Sequence, residues 1–383
     1  MTRDVGAPRV GMVGGGQLAR MSAAPAAALG IEFRVLATSV DESAAQVVSD
    51  VRIGRHDDAA AVLDFARGCD VITFDHEHVP PTILEQVEAM GVAVRPGPAA
   101  LFHAQDKAHM RRALDRFPAP RWSVVESASA AGSFAASVGY PFILKTSRGG
   151  YDGHGVWRVD AVDEVATVMA TQLPRGAVWL AEECVTFERE LSAQVARSPS
   201  GQSVAYPVVQ TVQQNGICAE VISPAPDLGD QRAMLAQQMA LEVAATLGVT
   251  GMLAVEMFDT GSDILINELA MRPHNSGHWT IEGAVTSQFE NHLRAVLDLP
   301  LGAPTSVAPH AVMVNILGGD VPNLYSAYRH VLARDPALHV HLYGKDVRPG
   351  RKVGHVTAVG SDLTSLRARA RHAADYFMGV IDE

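Results

Sequence analysis

Lysine is the scarcest charged residue in this chain. Only four of its 31 basic residues are lysines, Lys107, Lys145, Lys345 and Lys352, so arginine carries the general surface charge and each lysine is a candidate for specific work. Acids outnumber bases, 42 to 31, and the formal charge of -11 excludes the net basic surface that nonspecific DNA or RNA binding needs. Cysteine is nearly absent. Cys69, Cys184 and Cys218 are odd in number and widely spaced, which leaves neither a disulfide framework nor a zinc-ligand pattern. No apolar run reaches the roughly 18 to 20 residues that cross a bilayer. The opening "MTRDVGAPRVGMVGGGQLARM" lacks the basic, apolar and small-residue zones of an export signal, so the expected setting is the cytoplasm. What remains is 48% hydrophobic and 19% charged residues in a chain of 383, the composition of a globular protein of two or three domains.

The pattern of short apolar runs and glycine turns divides the chain. Residues 1–100 alternate strand and helix as an open, largely parallel α/β unit, and 101–117 read as a helical linker. Residues 118–187 form a small α+β module in which Asp160 is expected to cap a helix running to about 173. Residues 188–303 read as antiparallel strands with helices near 230–247 and 282–297. Residues 304–383 alternate strand and turn before a closing helix.

The stretch "GMLAVEMFDTGSDILINELAMRP" reads as a hairpin centred near Ser262. Alternation puts Glu256 on the face of Ala254 and Phe258, and Glu268 on that of Ile266 and Ala270. Both acids lie six residues from the centre and therefore oppose each other. Two facing carboxylates repel, so either one is protonated or a cation lies between them; a solvent-facing edge would also tolerate them. An all-oxygen donor set suits Mg²⁺, or Mn²⁺ in its place.

Two glycine loops invite a phosphate. "VGGGQLA" joins a strand to a helix, and a phosphate site and a plain tight turn are both open there. "KTSRGGYDGHG" joins two strands, so it is no P-loop, but it can fold over phosphates with Lys145 at its base. At the end of "VWLAEE", Glu182 and Glu183 offer acceptors for a base or ribose. "YGKDVRPGRKVGH" gathers Lys345, Arg348, Arg351, Lys352 and His355 in an acidic chain, which suits an anionic ligand held with Arg272, His274 and Asn275.

In order, "GGGQLARM", "RGGYDGHG", "NELAMRPHNSGHWT" and "YGKDVRPGRKVGH" resemble the ATP-grasp carboxylate–amine ligases, and among them the N5-carboxyaminoimidazole ribonucleotide synthase family. The resemblance implies an α/β ATP-grasp fold with a Rossmann-like N-terminal domain, a small α+β lid and a small β-rich C-terminal domain. ATP would lie on Lys107 and Lys145 beneath Gly149, Gly150, Tyr151, Asp152, Gly153, His154 and Gly155. Glu182, Glu183, Cys184 and Val185 would frame the adenine, Glu190 the ribose, with Gln213 and Asn267 beside the nucleotide and Glu256 and Glu268 on magnesium. The aminoimidazole ribonucleotide would meet Gln17, Leu18, Glu77, Tyr151, Asp152, His154, Arg272, Lys345, Arg351 and Lys352, while Arg272, His274, Asn275 and Lys345 would serve the chemistry on bicarbonate. The chain departs from the family at Met271 (commonly proline), His154 (commonly Arg or Lys) and Gln213 (often histidine). The resemblance also implies a cytoplasmic homodimer coupled to the mutase that uses the product, with no membrane or nucleic-acid partner. Alternatives are a related ligase with another acceptor, such as a formate-using transformylase, a nucleotide-binding protein with a degenerate site, and a dinucleotide oxidoreductase suggested by the first glycine turn.

Overall fold

The computed structural model describes residues 6–150 and 154–382; Tyr151, Asp152 and Gly153 of the second glycine loop lie outside the described residues. Within them, the first sheet contains β1 (Arg9–Val13), β2 (Glu32–Ala37), β3 (Asp50–Ile53), β4 (Val71–Phe74) and β5 (Ala93–Val94). All are parallel, in the order β3-β2-β1-β4-β5. β4 is buried along its whole length and β1 along all but its first residue, which explains their unbroken apolar runs. The strand order reverses between β1 and β4, and ligands of such sheets bind beyond the carboxyl ends at that switch.

The stretch "VGGGQLA" forms the turn between β1 and the first helix. The helix Gln17–Ala28 has no side-chain cap of its own. Asp75, just beyond β4, accepts from the Gly16 N–H at 3.0 Å and the Ala19 N–H at 2.8 Å. The helix N-terminus already holds a carboxylate, and a Cβ on Gly16 would collide with it. Asp75 therefore closes this turn from within, while Gly16, Gln17 and Leu18 still line the neighbouring cleft.

The second sheet contains β6 (Trp122–Val125), β7 (Phe142–Thr146), β8 (Val156–Val159) and β9 (Trp179–Glu183), antiparallel in the order β6-β9-β7-β8. It has its own small core around Phe142, Leu144 and Trp179. The helix expected from Asp160 is shorter, Glu164–Met169. Asp160 does not cap it: its side chain accepts from Arg158 at 2.8 Å, and its N–H donates to the Glu164 carboxylate at 2.9 Å.

The third sheet runs through β10 (Arg189–Arg197), β11 (Ser203–Ala205), β12 (Val209–Gln214), β13 (Ile217–Ser223), β14 (Gly251–Asp259), β15 (Ile264–Ala270), β16 (His310–Leu317), β17 (His339–Leu342) and β18 (Lys352–Gly360). Its order is β15-β14-β10-β12-β13-β16-β18-β17, with β11 on β10, so the C-terminal strands extend the central sheet through β13 and β16. The helix expected at 282–297 is two pieces, Thr280–Gly283 and Gln288–Val296, the second capped by Ser287. Leu84, Leu101 and Met110 share one core with Val255, Met257 and Ile266, which joins the first sheet's unit to the central one.

Glu220 on β13 is 2% exposed and accepts two bonds from Arg367, both at 2.9 Å, and one from Arg371 at 3.1 Å, tying the helix Leu363–Met378 to the sheet. Replacing both arginines leaves a buried carboxylate unpaired and is expected to cost about 3–5 kcal/mol. Glu220→Ala leaves only half-exposed arginines that rehydrate, and should cost less. Chemical denaturation of the two variants checks the order, and a larger loss for Glu220→Ala would contradict it.

Candidate active site

The three sheets meet at a cleft of about 1070 Å³, beyond the roughly 300–1000 Å³ of a pocket for one small molecule. Its floor is a row across adjacent strands. Ser192 on β10 pairs with Glu256 on β14, and Glu256 pairs with Glu268 on β15, as the hairpin symmetry predicted. The turn itself is offset by half a residue from Ser262, since Asp259 pairs with Ile264 and Met257 with Ile266. A bulge at Asn267 restores the register, so Asn267 and Glu268, adjacent in sequence, both line the cleft. The bulge also corrects one expectation: Ile266 does not share Glu268's face but packs in the core with Met257.

Cations surround the row unevenly. Lys107 forms an ion pair with Glu268. Burial alone would raise the Glu268 pKa, but Lys107 outweighs it and holds the value below the usual carboxylate range. Lys145 lies 2.6 Å from Glu182 and donates to Asn267 Oδ1 at 3.2 Å. Glu182 also accepts from Arg111 Nε at 2.7 Å. Burial opposes its charge, yet Lys145 and Arg111 bring its pKa down to about 2. With both oxygens engaged, Glu182 is an anchor for Lys145 rather than an open acceptor. Glu256 differs. Its ion-pair partner among the described residues is His274 Nε2, at 3.7 Å. Burial, with Glu268 and Glu190 beside it, pushes its carboxyl up to about 7.

A second group joins the first sheet to the cleft. Glu77, 8% exposed, accepts from Arg272 Nε at 2.6 Å and from the Met271 N–H at 3.1 Å. Burial disfavours the guanidinium, but Glu77 beside it keeps Arg272 charged. The proline common in the resembled family at Met271 would have no N–H to give Glu77. His274 is half-buried, and the loss of solvent around its ring, with Arg272 and Lys352 nearby, lowers its pKa and keeps the ring neutral. Asn275 is 8% exposed, and among the described residues its side-chain amide has the weakly bonding Cys218 thiol beside it and no stronger hydrogen-bond partner. Such a group is a ready contact for a ligand.

The cleft gathers nearly every described residue singled out from the sequence. Gln17, Leu18, Cys184, Val185, Gln213, Lys345, Arg351 and Lys352 line it with the residues above, as do Gly149, Gly150 and His154 at the loop. Lys345 bonds Gln17, which brings the C-terminal turn against the first glycine turn. Glu190 shares the cleft, and burial raises its pKa, an effect that the hydrogen bond from Gln213 only partly offsets. Glu183 is at the rim and pairs with Arg121 at 2.8 Å. Gly155 closes the loop just before β8, its carbonyl accepting from the Thr146 N–H at 2.9 Å. One expectation fails. His355 does not belong to the basic cluster: it is fully buried on β18, with Nδ1 2.7 Å from the Tyr343 hydroxyl. Arg348 lines the cleft, as do Phe187 and Phe258, stacked 4.8 Å apart at 16°. Arg111 and this aromatic pair were missed because no local motif marks them.

The donor set fits a hard divalent cation. Among the described residues no lysine or arginine forms an ion pair with Glu256, and Glu268 lies opposite it. Two carboxylates completed by water and phosphate oxygens are the usual protein share of a magnesium site. Among the described residues no group of three or more His, Cys, Asp or Glu is arranged to hold a metal, so such an ion would be shared with a ligand.

The comparisons agree with this architecture. The ribonucleotide synthetase preATP-grasp model matches residues 8–105, the ATP-grasp domain model 112–289, and the phosphoribosylaminoimidazole carboxylase C-terminal model 311–369. The N5-carboxyaminoimidazole ribonucleotide synthase of Mycobacterium tuberculosis is 53% identical over 376 residues, which cover 97% of this chain and 88% of the relative. The chain belongs to the N5-carboxyaminoimidazole ribonucleotide synthase family. The Thermus thermophilus synthetase structure is 35% identical with a TM-score of 0.86, covering 98% of this chain and 99% of that one. The Aspergillus clavatus synthase structure, in complex with ADP and 5-aminoimidazole ribonucleotide, is 31% identical with a TM-score of 0.88, covering 97% and 98%. As a member of the family the chain is an ATP-dependent ligase with the ATP-grasp fold, and among its described residues no helix is long and apolar enough to cross a membrane.

The raised Glu256 pKa has a consequence for this synthase's stability. Its folded value of about 7 lies above the ordinary 4.5, so ionising it works against folding. The cost grows as pH rises from 4.5 towards about 7 and is complete above that. Glu256→Gln should therefore raise the melting temperature of the ligand-free protein above pH 7 and change it little below pH 4.5. Melting curves without nucleotide or metal test this; an equal shift at both ends would contradict it.

Proposed function

We infer that the chain carries out the reaction for which its family is named. It carboxylates 5-aminoimidazole ribonucleotide with bicarbonate and ATP, giving N5-carboxyaminoimidazole ribonucleotide, ADP and phosphate, as a step of de novo purine synthesis. The observation that carries this reading is a single cleft with two lysines and two opposed carboxylates on one side and an arginine–lysine turn on the other. One side suits a nucleotide's phosphate tail, the other a ribonucleotide's phosphate.

Bicarbonate attacks the γ-phosphorus of ATP, ADP leaves and carboxyphosphate forms. The exocyclic amine of the ribonucleotide then captures the carboxyl group, directly or as released CO₂, with loss of phosphate. Lys107 and Lys145 hold the phosphates; Lys145 can do so because Glu182 and Asn267 fix its ammonium. Arg272, aimed by Glu77, and Asn275, whose side chain lines the cleft, hold bicarbonate and the acyl phosphate. The second glycine loop, to whose sequence Tyr151, Asp152 and His154 belong, would contact both substrates, and keeping water from the acyl phosphate is the demand the chemistry places on it. Glu183, Cys184 and Val185 border the adenine and Glu190 the ribose. Mg²⁺, or Mn²⁺, held by Glu256 and Glu268, would supply positive charge against the transferring phosphoryl group.

The same reading makes the protein a cytoplasmic homodimer whose labile carbamate goes to an N5-carboxyaminoimidazole ribonucleotide mutase. A formate-using ligase remains the rival. ADP release should require ATP, bicarbonate and the aminoimidazole ribonucleotide together, and formate should not replace bicarbonate. Full activity with formate, or ADP release without the ribonucleotide, would overturn the reading. Glu268→Gln is expected to lower kcat by about 10²-fold or more and to raise the magnesium requirement; turnover unchanged at limiting magnesium would contradict the role given to Glu268.

A further inference from the structure

The surroundings of His274 decide which of its ring nitrogens bears hydrogen. The residue caps the short turn Asn275–Gly277, and the Ser276 backbone N–H donates to His274 Nδ1 at 3.4 Å. A backbone N–H cannot reverse its role, so Nδ1 is the acceptor and the hydrogen of the neutral ring sits on Nε2. The Ser276 hydroxyl, 2.8 Å from the same nitrogen, must then donate to it as well. Its oxygen in turn accepts from Gln194 Nε2 at 3.0 Å and lies 2.8 Å from Ser192 Oγ. Ser276 and Ser192 have no exposed surface and Gln194 has 2%. Gln288 grips the His274 backbone at both ends, accepting from its N–H at 2.9 Å and donating to its carbonyl at 2.8 Å. Every bond on the Nδ1 side is accounted for, and Nε2 is left on the side of Glu256 and the cleft.

We propose that His274 works as a fixed hydrogen-bond donor through Nε2–H, not as a base, and that Ser276 is the positioning residue that sets this tautomer. The inference deepens the carboxylation reading and rests on it for the ligand, an oxygen of bicarbonate or of the acyl phosphate. A neutral imidazole held this way stabilises charge developing on such an oxygen without having to lose a proton. The ring's one basic nitrogen is sealed behind Ser276 and cannot reach the amine of the ribonucleotide.

Long-range ¹⁵N–¹H correlation of the ligand-free enzyme, labelled in its imidazoles, tests the tautomer directly. The His274 signals are assigned by their loss in His274→Gln. Nδ1 should resonate as the bare, pyridine-type nitrogen and Nε2 as the hydrogen-bearing one, and in Ser276→Ala the Nδ1 signal should move as its hydroxyl donor is lost. Gln places an N–H close to where Nε2–H stands, so His274→Gln should stay within about tenfold of the native kcat, while His274→Ala falls about 10²- to 10³-fold. An Nδ1–H tautomer, or a Gln variant as slow as the Ala variant, would overturn the proposal. Should Ser276→Ala not fold, the native spectrum and the two His274 variants still decide it. ADP release without the ribonucleotide would end the carboxylation reading instead, leaving the tautomer, measured without substrates, to stand.

Discussion

Glu256 and Glu268 face each other across adjacent strands, and the surrounding cations do not neutralise them equally. Lys107 sits on Glu268, while Glu256 has a neutral histidine as its ion-pair neighbour among the described residues and, although Lys352 and Arg272 partly offset its charge, is driven towards protonation. A site with one carboxylate paired and one left short of positive charge is unfinished by itself. Further positive charge would complete it, and a divalent ion arriving with a nucleotide would supply that charge while giving Lys107 phosphate oxygens in place of a carboxylate. The same imbalance that burdens the ligand-free fold therefore supplies the attraction for the substrates.

The charged pairs of the cleft also join its walls. Lys145 and Glu182 belong to the second sheet, and Arg111, from the linker helix Lys107–Ala113, holds Glu182 while donating to the Ile266 carbonyl of the third sheet at 2.7 Å. Asp106 takes Arg148 at 2.7 Å at the foot of the glycine loop. Glu77 reaches from the first sheet to Arg272 and Met271. The pairs of Arg111, Asp106 and Glu77 span elements with separate or only partly shared cores, so the side chains proposed to bind phosphate are held by the contacts that set the position of the small sheet. Buried pairs of this kind add little net stability against an apolar alternative, but removing one partner is costly, and that fixes geometry.

Local pattern was informative where chemistry and periodicity lie in one stretch. The hairpin and its opposed acids followed from alternation and a turn, and the C-terminal turn with Lys345, Arg351 and Lys352 was visible as basic residues in an acidic chain. The register was right although its count was incomplete: the turn is tighter than assumed and the bulge at Asn267 restores the pairing, a compensation that alternation cannot reveal. The rest depended on partners distant in sequence. Asp75 closes the first glycine turn from 59 residues away, and Arg111 meets Glu182 across 71. His355 was grouped with its basic neighbours, but strand alternation turns it into the core beside Tyr343. The catalytic family was legible because its motifs are spread over the chain; the tautomer of His274 was not, because it depends on one backbone N–H.

The central claim is that the opposed carboxylates hold the divalent ion together with the nucleotide, and the most direct measurement counts that ion. Mn²⁺ binding followed by electron paramagnetic resonance, with a non-hydrolysable ATP analogue present, should show tight, nucleotide-dependent uptake by the native protein. The Glu256→Gln, Glu268→Gln double variant should lose that uptake while still binding the analogue. Equal Mn²⁺ uptake by the two proteins would contradict the account.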